Sequence, residues 1–165
     1  MDDMPPIADY MKGHRLMLVT AESCTAGLIA SRLAEVPGAG KLLECAYVVY
    51  SPEAKQRCLG VRKETIERCN LTSEEVAREM AAGALARSDA NLAVSNTGVT
   101  DDTDPRIPAG TQCFAWPFAV PTGRSRCAAK PAAATATATP SAKPRPISRC
   151  AAYRSWKGRP HERHP

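Results

Sequence analysis

The sequence predicts a layered α/β domain followed by a segment of different character. Two observations lead to this expectation. Over residues 1–116, short apolar runs typical of buried strands alternate with segments whose apolar residues recur at helical spacing. After Trp116, large aliphatic residues almost disappear, and proline, alanine, threonine and arginine dominate. We therefore expect an α/β domain over residues 1–116 and a separate tail over residues 117–165.

The first half of the predicted domain is a strand, a helix, a second strand and a second helix. Residues 16–20 form an apolar run, and the helix that follows continues at helical spacing until Pro37 and Gly38 end it. Residues 45–50 predict the second strand. Ser51 begins the second helix, because serine caps a helix and the proline after it fits the first helical position.

The second half of the domain repeats this alternation. Residues 62–69 predict a short helix, and residues 72–75, Thr-Ser-Glu-Glu, form a capping-box pattern before a longer helix that ends near Arg87. Residues 91–96 and 110–116 predict two further strands, joined by an acidic loop.

The net charge of +5 is the sum of two unlike parts. Residues 1–116 carry 12 Lys and Arg against 16 Asp and Glu, a balance of −4, whereas residues 117–165 carry 10 against 1, a balance of +9. Val120 and Ile147 are the only Val, Leu, Ile or Met residues of the tail. Because such a segment cannot bury enough apolar surface to order itself, we expect a disordered tail. Only this tail has the charge to bind nucleic acid.

The sequence also indicates the cellular location. No apolar run reaches the ~20 residues that span a bilayer, so we expect no membrane contact, and the acidic N-terminus lacks the features of a secretory signal. The seven cysteines form no Cys-x-x-Cys pair, so we expect reduced thiols in a cytoplasmic protein, without a metal or another cofactor. His161 and His164 lie in the tail without further ligands, and we assign no metal site to them.

Residues 20–27, Thr-Ala-Glu-Ser-Cys-Thr-Ala-Gly, are the most informative stretch. We expect a helix to begin at or next to Ser23, with its free backbone N–H groups available to a phosphate or an oxyanion. Ser23 is then either a helix cap or a nucleophile, and the pattern alone favours the cap. Cys24 is either a reactive thiolate or a small buried cysteine, and the lack of a nearby histidine favours the latter.

Lys55 falls near the end of the first turn of the helix that Ser51 begins. The positive end of the helix dipole disfavours the ammonium form there, so a desolvated Lys55 could act as a general base toward a serine. The alternative is a solvated surface lysine, which the pattern alone favours. Tyr50, at a strand end, is more often a packed ring. Residues 96–98, Asn-Thr-Gly, lie at the sheet edge where α/β proteins bind ligands, although the Thr97-Gly98 pair is also an ordinary turn.

Together these stretches resemble the C-terminal domain of the CinA, or competence-damage-inducible, proteins. The resemblance covers about residues 5–116 and rests on residues 19–28, 36–38, 50–55, 59–61, 73–77, 97–98 and 110–111. It implies a three-layer α/β/α sandwich with a mixed sheet, self-association into a homo-oligomer, and no metal.

The resemblance also implies an activity: hydrolysis of the carboxamide of nicotinamide mononucleotide to the nicotinate nucleotide and ammonia, in pyridine-nucleotide salvage. By position, Ser23 would be the nucleophile, Lys55 its base and Tyr50 a hydrogen-bonding partner. The pocket for this small-molecule nucleotide would be lined by Thr25, Gly27, Thr97 and Gly98.

Three departures from the family pattern bear on activity. Ala26 stands where the family commonly has glycine, and residues 99–104 replace a glycine-rich run with an acidic loop that repels phosphate. The family's further strand and C-terminal helix have no counterpart after Trp116. We therefore expect an incomplete domain whose last strand has an unpaired edge or an uncovered face.

Two other functions remain open from the sequence. One is a catalytically silent nucleotide-binding or interaction protein with the same fold. The other is a nucleic-acid binder that acts through the basic tail.

Overall fold

The computed structural model describes residues 4–101, 105–119 and 135–138. They form one mixed sheet between two layers of helices, which confirms the predicted α/β fold. The helices are α1 (Met4–Gly13), α2 (Leu28–Ala34), α3 (Pro52–Leu59), α4 (Lys63–Cys69) and α5 (Glu74–Ala86). The strands are β1 (Leu18–Glu22), β2 (Leu43–Val48), β3 (Leu92–Gly98), β4 (Gln112–Ala115) and β5 (Thr135–Ala138).

The sheet has the order β2-β1-β3-β4-β5. Strands β2, β1 and β3 are parallel, β4 is antiparallel to β3, and β5 is antiparallel to β4. The carboxyl ends of the three parallel strands therefore meet at one edge of the sheet, together with the start of β4. In α/β sheets this is the edge where ligands bind.

Strand β1 contributes to both cores because successive strand side chains point to opposite faces of a sheet. Val19 and Ala21 pack in the larger cluster with residues of α3 and α5. Leu18 packs in the smaller cluster with Met11 of α1 and Leu33 of α2. The sheet thus has an α1–α2 face and an α3–α5 face.

Helix α1 was not predicted from the sequence. It contains Pro5 and Pro6 in its first turn, where proline is tolerated because the first N–H groups of a helix have no intrahelical partner. The buried residues of α1 are Ala8 and Met11, and two buried positions are too few to produce a clear helical periodicity in the sequence. None of the described helices has the length and apolar character needed to cross a bilayer.

The sheet extends beyond Trp116, where the composition changes. Pro117 accepts a hydrogen bond from the backbone N–H of Ala93 at 3.0 Å, and Phe118 pairs with Leu92. Strand β5 lies within the segment expected to be a disordered tail, and it pairs with the edge of β4 that was expected to be unpaired. Composition misses such a strand because main-chain pairing needs no apolar side chains. The rest of the tail lies outside the described residues.

The α1–α2 face of the sheet is covered only in part. Phe114 and Trp116 are partly exposed, as expected for an uncovered face, and Phe118 is 40% exposed. An apolar cavity of about 480 Å³ lies between α1, α2 and the sheet, with Tyr10 and Leu28 in its lining. Its lining does not include the polar residues at the carboxyl edge of the parallel strands.

Gly83 lets α5 approach the end of α3 closely. A β-carbon at this position would lie 1.9 Å from the main-chain oxygen of Leu59, which cannot rotate away. Overpacking of this kind costs ~1–3 kcal/mol, against a gain in helix propensity of about 1 kcal/mol. We expect Gly83→Ala to lower the free energy of unfolding by about 1 kcal/mol, the difference between these two terms, measured by urea denaturation.

The matched control is Gly13→Ala, at the end of α1, where a β-carbon would meet nothing within 4 Å among the described residues. This variant should be as stable as the parent or slightly more stable. Equal loss of stability in both variants would contradict the close approach of α5 to α3.

Candidate active site

The end of β1 sends consecutive side chains to opposite faces of the sheet. Glu22, the last residue of the strand, is fully buried on the α1–α2 face. Ser23, which follows it, is 6% exposed and contacts Lys55 of α3 on the other face. Because consecutive side chains alternate between the two faces, the Glu22 carboxylate lies on one face of the sheet and the Ser23 hydroxyl on the other.

The Glu22 carboxylate caps α2. Its two oxygens accept hydrogen bonds from the backbone N–H groups of Gly27, Ile29 and Ala30, each at 3.0 Å. The expectation that a helix begins at or next to Ser23 is wrong, since α2 begins at Leu28. A capping carboxylate supplied by the preceding strand, rather than by the turn itself, explains the difference.

The expected anion site at the start of α2 is also wrong. Besides the three N–H groups that Glu22 accepts, the N–H of Leu28 donates to the Thr25 carbonyl, and that of Ala26 donates to the Ser23 carbonyl. The positive end of the helix is thus neutralised from within the protein, because a carboxylate already occupies it.

The turn between β1 and α2 places two residues in the left-handed region. Gly27 has φ +94°, which glycine adopts without strain, and Ala26 has φ +51°. A non-glycine residue in this region costs roughly 1–2 kcal/mol. Alanine at position 26 therefore has a conformational cost that the glycine common in the family would not have.

Lys55 lies at the centre of the site. Ser51 caps α3 by accepting from the N–H of Ala54 at 3.0 Å, as predicted, and Lys55 is then buried, with 1% exposure. Its Nζ donates to the carbonyl oxygens of Val49 and Tyr50 and lies 2.9 Å from the Oγ of Ser23. The solvated surface lysine considered from the sequence is therefore wrong.

Burial lowers the pKa of Lys55 to about 8 from its ordinary value of 10.5. Desolvation disfavours the ammonium form, and no carboxylate is among the hydrogen-bond partners of Nζ that the structure describes. A lysine with such a pKa is partly neutral near pH 8 and can accept a proton there.

The remaining predicted site residues have varied surroundings. Tyr50 is 67% exposed, so the packed ring favoured from the sequence is wrong, and it is the main-chain carbonyl of this residue that contacts Lys55. The Thr97 hydroxyl donates to the Leu71 carbonyl at 2.9 Å and is buried on the α3–α5 face. Thr25 has a buried hydroxyl that forms no hydrogen bond with the described residues. A β-carbon on Gly98 would lie 2.8 Å from the Gln112 amide, so glycine makes room for this side chain.

A polar cluster that the sequence did not predict lies beside the Ser23 turn. The Cys24 thiol lies 2.8 Å from Oδ1 of Asn96 and 2.8 Å from Oε1 of Gln112. Nδ2 of Asn96 donates to the same Gln112 oxygen at 2.8 Å. Burial raises the pKa of the Cys24 thiol, despite the hydrogen bond with Gln112. The raised pKa disfavours the reactive thiolate considered from the sequence, while the side chain is only half-buried, unlike the buried cysteine that the sequence favoured.

The family model of the CinA C-terminal domain matches residues 4–131. The chain belongs to this family. The match extends 15 residues beyond Trp116, the end of the resemblance seen in the sequence. It therefore includes part of the segment whose composition differs.

Relatives and solved structures agree with this assignment. A CinA-like protein of Chlorobium phaeobacteroides is 53% identical over 99 residues, which are 59% of this chain and 24% of that protein. A competence/damage inducible protein of Agrobacterium tumefaciens has a TM-score of 0.68 and 36% identity, covering 71% of this chain and 73% of that one. A competence damage-inducible protein of Klebsiella pneumoniae has a TM-score of 0.74 and 29% identity, covering 85% and 81%. The chain spans about a quarter of the length of the curated relatives it matches.

Within this CinA domain, Asn96 belongs to the Asn-Thr-Gly stretch that the sequence placed at the ligand-binding edge of the sheet, whereas no sequence motif distinguished Gln112. Gln112 lies opposite Gly98 in the register of β3 and β4. Antiparallel pairing brings the two amides together across 16 positions of sequence. An Asn and a Gln at the facing ends of two predicted strands was the available signal.

The role of Glu22 as a cap can be tested with Glu22→Gln. An amide presents one acceptor oxygen and an NH₂ group, which would face a backbone N–H of α2 instead of accepting from it. We expect the free energy of unfolding to fall by about 2 kcal/mol, since hydrogen bonds to a charged group are lost in a buried site. Chemical denaturation measures the loss. The control, Glu35→Gln at the exposed end of α2, should change stability by less than about 0.5 kcal/mol.

The buried lysine should make stability depend on pH. Between pH 8 and 10.5, unfolded Lys55 holds its proton whereas folded Lys55 has lost it, so the unfolded state binds more protons and the free energy of unfolding rises with pH. Compared with Lys55→Met, the parent should gain about 3 kcal/mol between pH 7 and pH 11. Parallel stability curves for the two proteins over this range would contradict a depressed pKa.

Proposed function

We propose that this CinA domain is an amidohydrolase in which Ser23 attacks the carboxamide of a nicotinamide nucleotide and Lys55 accepts the serine proton. The observation that carries the proposal is the buried contact of 2.9 Å between Nζ of Lys55 and Oγ of Ser23. A hydroxyl next to a lysine of lowered pKa is a general arrangement for covalent catalysis.

The hydrogen bonds of Lys55 support its role as a base. The carbonyls of Val49 and Tyr50 accept one hydrogen each, and a neutral amine has two. The third tetrahedral position, toward Ser23, is then the lone pair of Nζ. In the neutral form, Lys55 is oriented to accept the hydrogen of the Ser23 hydroxyl.

The reaction follows from this orientation. Ser23 Oγ bonds to the carboxamide carbon while its proton moves to Nζ, and a tetrahedral intermediate forms. Lys55 returns the proton to the amide nitrogen, the carbon–nitrogen bond breaks, and ammonia leaves an acyl-serine. Water then attacks the acyl carbon with Lys55 again as base, which releases the carboxylate product and restores Ser23.

The nucleotide part of the proposal rests on the family resemblance. The residues that carry that resemblance around the site, 19–28 and 50–55, are the same residues that bring Ser23 and Lys55 together. The relatives named above are called CinA-like or competence/damage-inducible proteins. The substrate is therefore the part of the proposal that most needs a direct test.

A catalytically silent nucleotide-binding protein is the second candidate. It is favoured by the capping of α2, because Glu22 uses N–H groups that would otherwise stabilise the oxyanion of the reaction. Under this alternative the protein binds the nucleotide but releases no ammonia. The two functions therefore differ in a single measurable product.

Ammonia release from nicotinamide mononucleotide tests the enzyme. Ser23→Ala should lower kcat at least about 1,000-fold, because the nucleophile is lost, while the melting temperature stays near that of the parent. The control is Ser31→Ala, at an exposed serine of α2, which should keep full activity. Retained turnover in Ser23→Ala would end the acyl-serine mechanism.

The activity of the parent should depend on pH through Lys55. Because the neutral amine is the active form, kcat/KM should rise with pH and level off above about pH 8. Lys55→Met should lack this rise. A parent profile that falls between pH 7 and pH 9 would contradict Lys55 as the base.

A further inference from the structure

We propose that the backbone N–H of Cys24 stabilises the oxyanion of the tetrahedral intermediate, and that Asn96 is a positioning residue that holds this N–H in place. The inference rests on the function proposed above and names the group that would receive the negative charge. Two observations lead to it. One backbone N–H next to Ser23 has no partner among the described residues, and Asn96 contacts each of the residues 23–25.

The backbone N–H groups of residues 23–30 are almost all used within the domain. Seven of these eight groups donate to an acceptor among the described residues, namely those of Ser23, Thr25, Ala26, Gly27, Leu28, Ile29 and Ala30. The N–H of Cys24 is the exception, since it forms no hydrogen bond with another residue that the structure describes. Because backbone donors that are shielded from water are nearly always paired, this one is available to a ligand.

The position of this N–H in the chain suits an oxyanion. When Ser23 Oγ bonds to the carboxamide carbon, the carbonyl oxygen gains a negative charge beside the backbone of the turn. In hydrolases with a serine nucleophile, the N–H of the next residue is a common oxyanion donor. Cys24 is that residue here, and it is half-buried, so water screens the interaction only in part. The donors that Glu22 occupies in α2 are not needed for this role.

Asn96 contacts three consecutive residues of the turn. Its carbonyl accepts from the N–H of Ser23 at 3.0 Å, and its Oδ1 accepts from the N–H of Thr25 at 3.3 Å. The same Oδ1 lies 2.8 Å from the Cys24 sulfur. The N–H groups on both sides of the Cys24 N–H are therefore tied to one residue of β3, and the direction of the Cys24 N–H follows from them.

Asn96 is itself well fixed. It is fully buried and lies opposite Glu22 in the register of β1 and β3. Its Nδ2 donates to Oε1 of Gln112 at 2.8 Å, which keeps Oδ1 directed toward the turn. The turn needs such support because Ala26 has φ +51°. A donor that is held in advance requires no reorganisation when the charge forms, and this is the condition for electrostatic stabilisation of a transition state.

Ammonia release from nicotinamide mononucleotide by the full chain tests the role of Asn96. With Asn96→Ala, kcat should fall about 10- to 100-fold while KM stays within about twofold, because the oxyanion forms only after the substrate has bound. The rise of kcat/KM toward pH 8 should keep its midpoint, since Lys55 does not contact Asn96. If this variant does not fold, Gln112→Met at a partly exposed position removes the acceptor of Nδ2, and it should lower kcat by a smaller factor with KM again unchanged.

The matched control is Asn91→Ala, at the other end of β3. The Asn91 side chain also joins two stretches of backbone, because its Oδ1 accepts from the N–H of Met17 and its Nδ2 donates to the Arg15 carbonyl, each at 2.8 Å. This variant should lose stability but keep kcat within about twofold of the parent. An equal fall of kcat in Asn96→Ala and Asn91→Ala would overturn the inference, because both asparagines would then support only the fold.

The donor itself can be observed by NMR with an analogue of the substrate that has a formyl group in place of the carboxamide. Ser23 Oγ bonds to the formyl carbon, the π bond of the C=O group opens onto oxygen, and the serine proton moves to Lys55. The product is a hemiacetal oxyanion without a leaving group. In protein labelled with ¹⁵N at cysteine, with Cys24→Ala to identify the signal, the amide proton of Cys24 should move downfield when the analogue is added.

A ¹³C label at the formyl carbon reports whether the hemiacetal forms, and Ser23→Ala should prevent its formation. A hemiacetal that leaves the Cys24 amide proton unmoved would overturn the inference while the proposed function stands. If no hemiacetal forms and the chain releases no ammonia, the proposed function fails, and this inference fails with it.

Discussion

The buried carboxylate of Glu22 is the interaction on which the rest of the site depends. It ends β1, accepts three backbone N–H groups of α2, and so sets where the helix starts and how the five-residue turn before it folds. A short helix such as α2 cannot hold its own N-terminus in place, because its propensity is weak compared with the cost of ordering it. The cap ties this helix directly to the end of β1.

The position of Ser23 follows from that anchor. The residue after Glu22 must point to the other face, and there α3, capped by Ser51, presents Lys55. The backbone of Ser23 is held as well, because its N–H donates to the Asn96 carbonyl at 3.0 Å. The serine and the lysine therefore meet because two caps fix their positions. Glu22 fixes the turn between β1 and α2, which contains Ser23, and Ser51 fixes the start of α3, which carries Lys55. Neither side chain has freedom to leave, which suits a site that must be organised before substrate binds.

The carboxyl edge of the parallel strands holds polar side chains in addition to the capped start of α2. Glu22 fills the anion site that helix N-termini often provide. Beside it, antiparallel pairing of β3 and β4 brings the side chains of Asn96 and Gln112 together. The edge thus combines a buried base on one face with a polar cluster on the other.

The C-terminal segment shows where reasoning from composition reaches its limit. Strand β4 pairs with β5, whose Thr-Ala alternation lies in a low-complexity stretch, and the first residues after Trp116 stay hydrogen-bonded to β3. Main-chain hydrogen bonds are available to any residue except at proline nitrogen, so pairing can extend into sequence that could not build a core. The partly exposed Phe114 and the apolar cavity beside α1 show that the residues the structure describes cover the α1–α2 face only in part.

The sequence by itself determined the alternation of strands and helices, the cap at Ser51 and the candidates Ser23 and Lys55, because these depend on local periodicity and on short-range hydrogen bonds. It did not determine the start of α2, the existence of α1, or the cluster of Asn96 and Gln112. These depend on contacts between residues far apart in the chain. Only the tertiary structure decided that Lys55 is buried, since the desolvation that lowers its pKa comes from the sheet and helices packed around it.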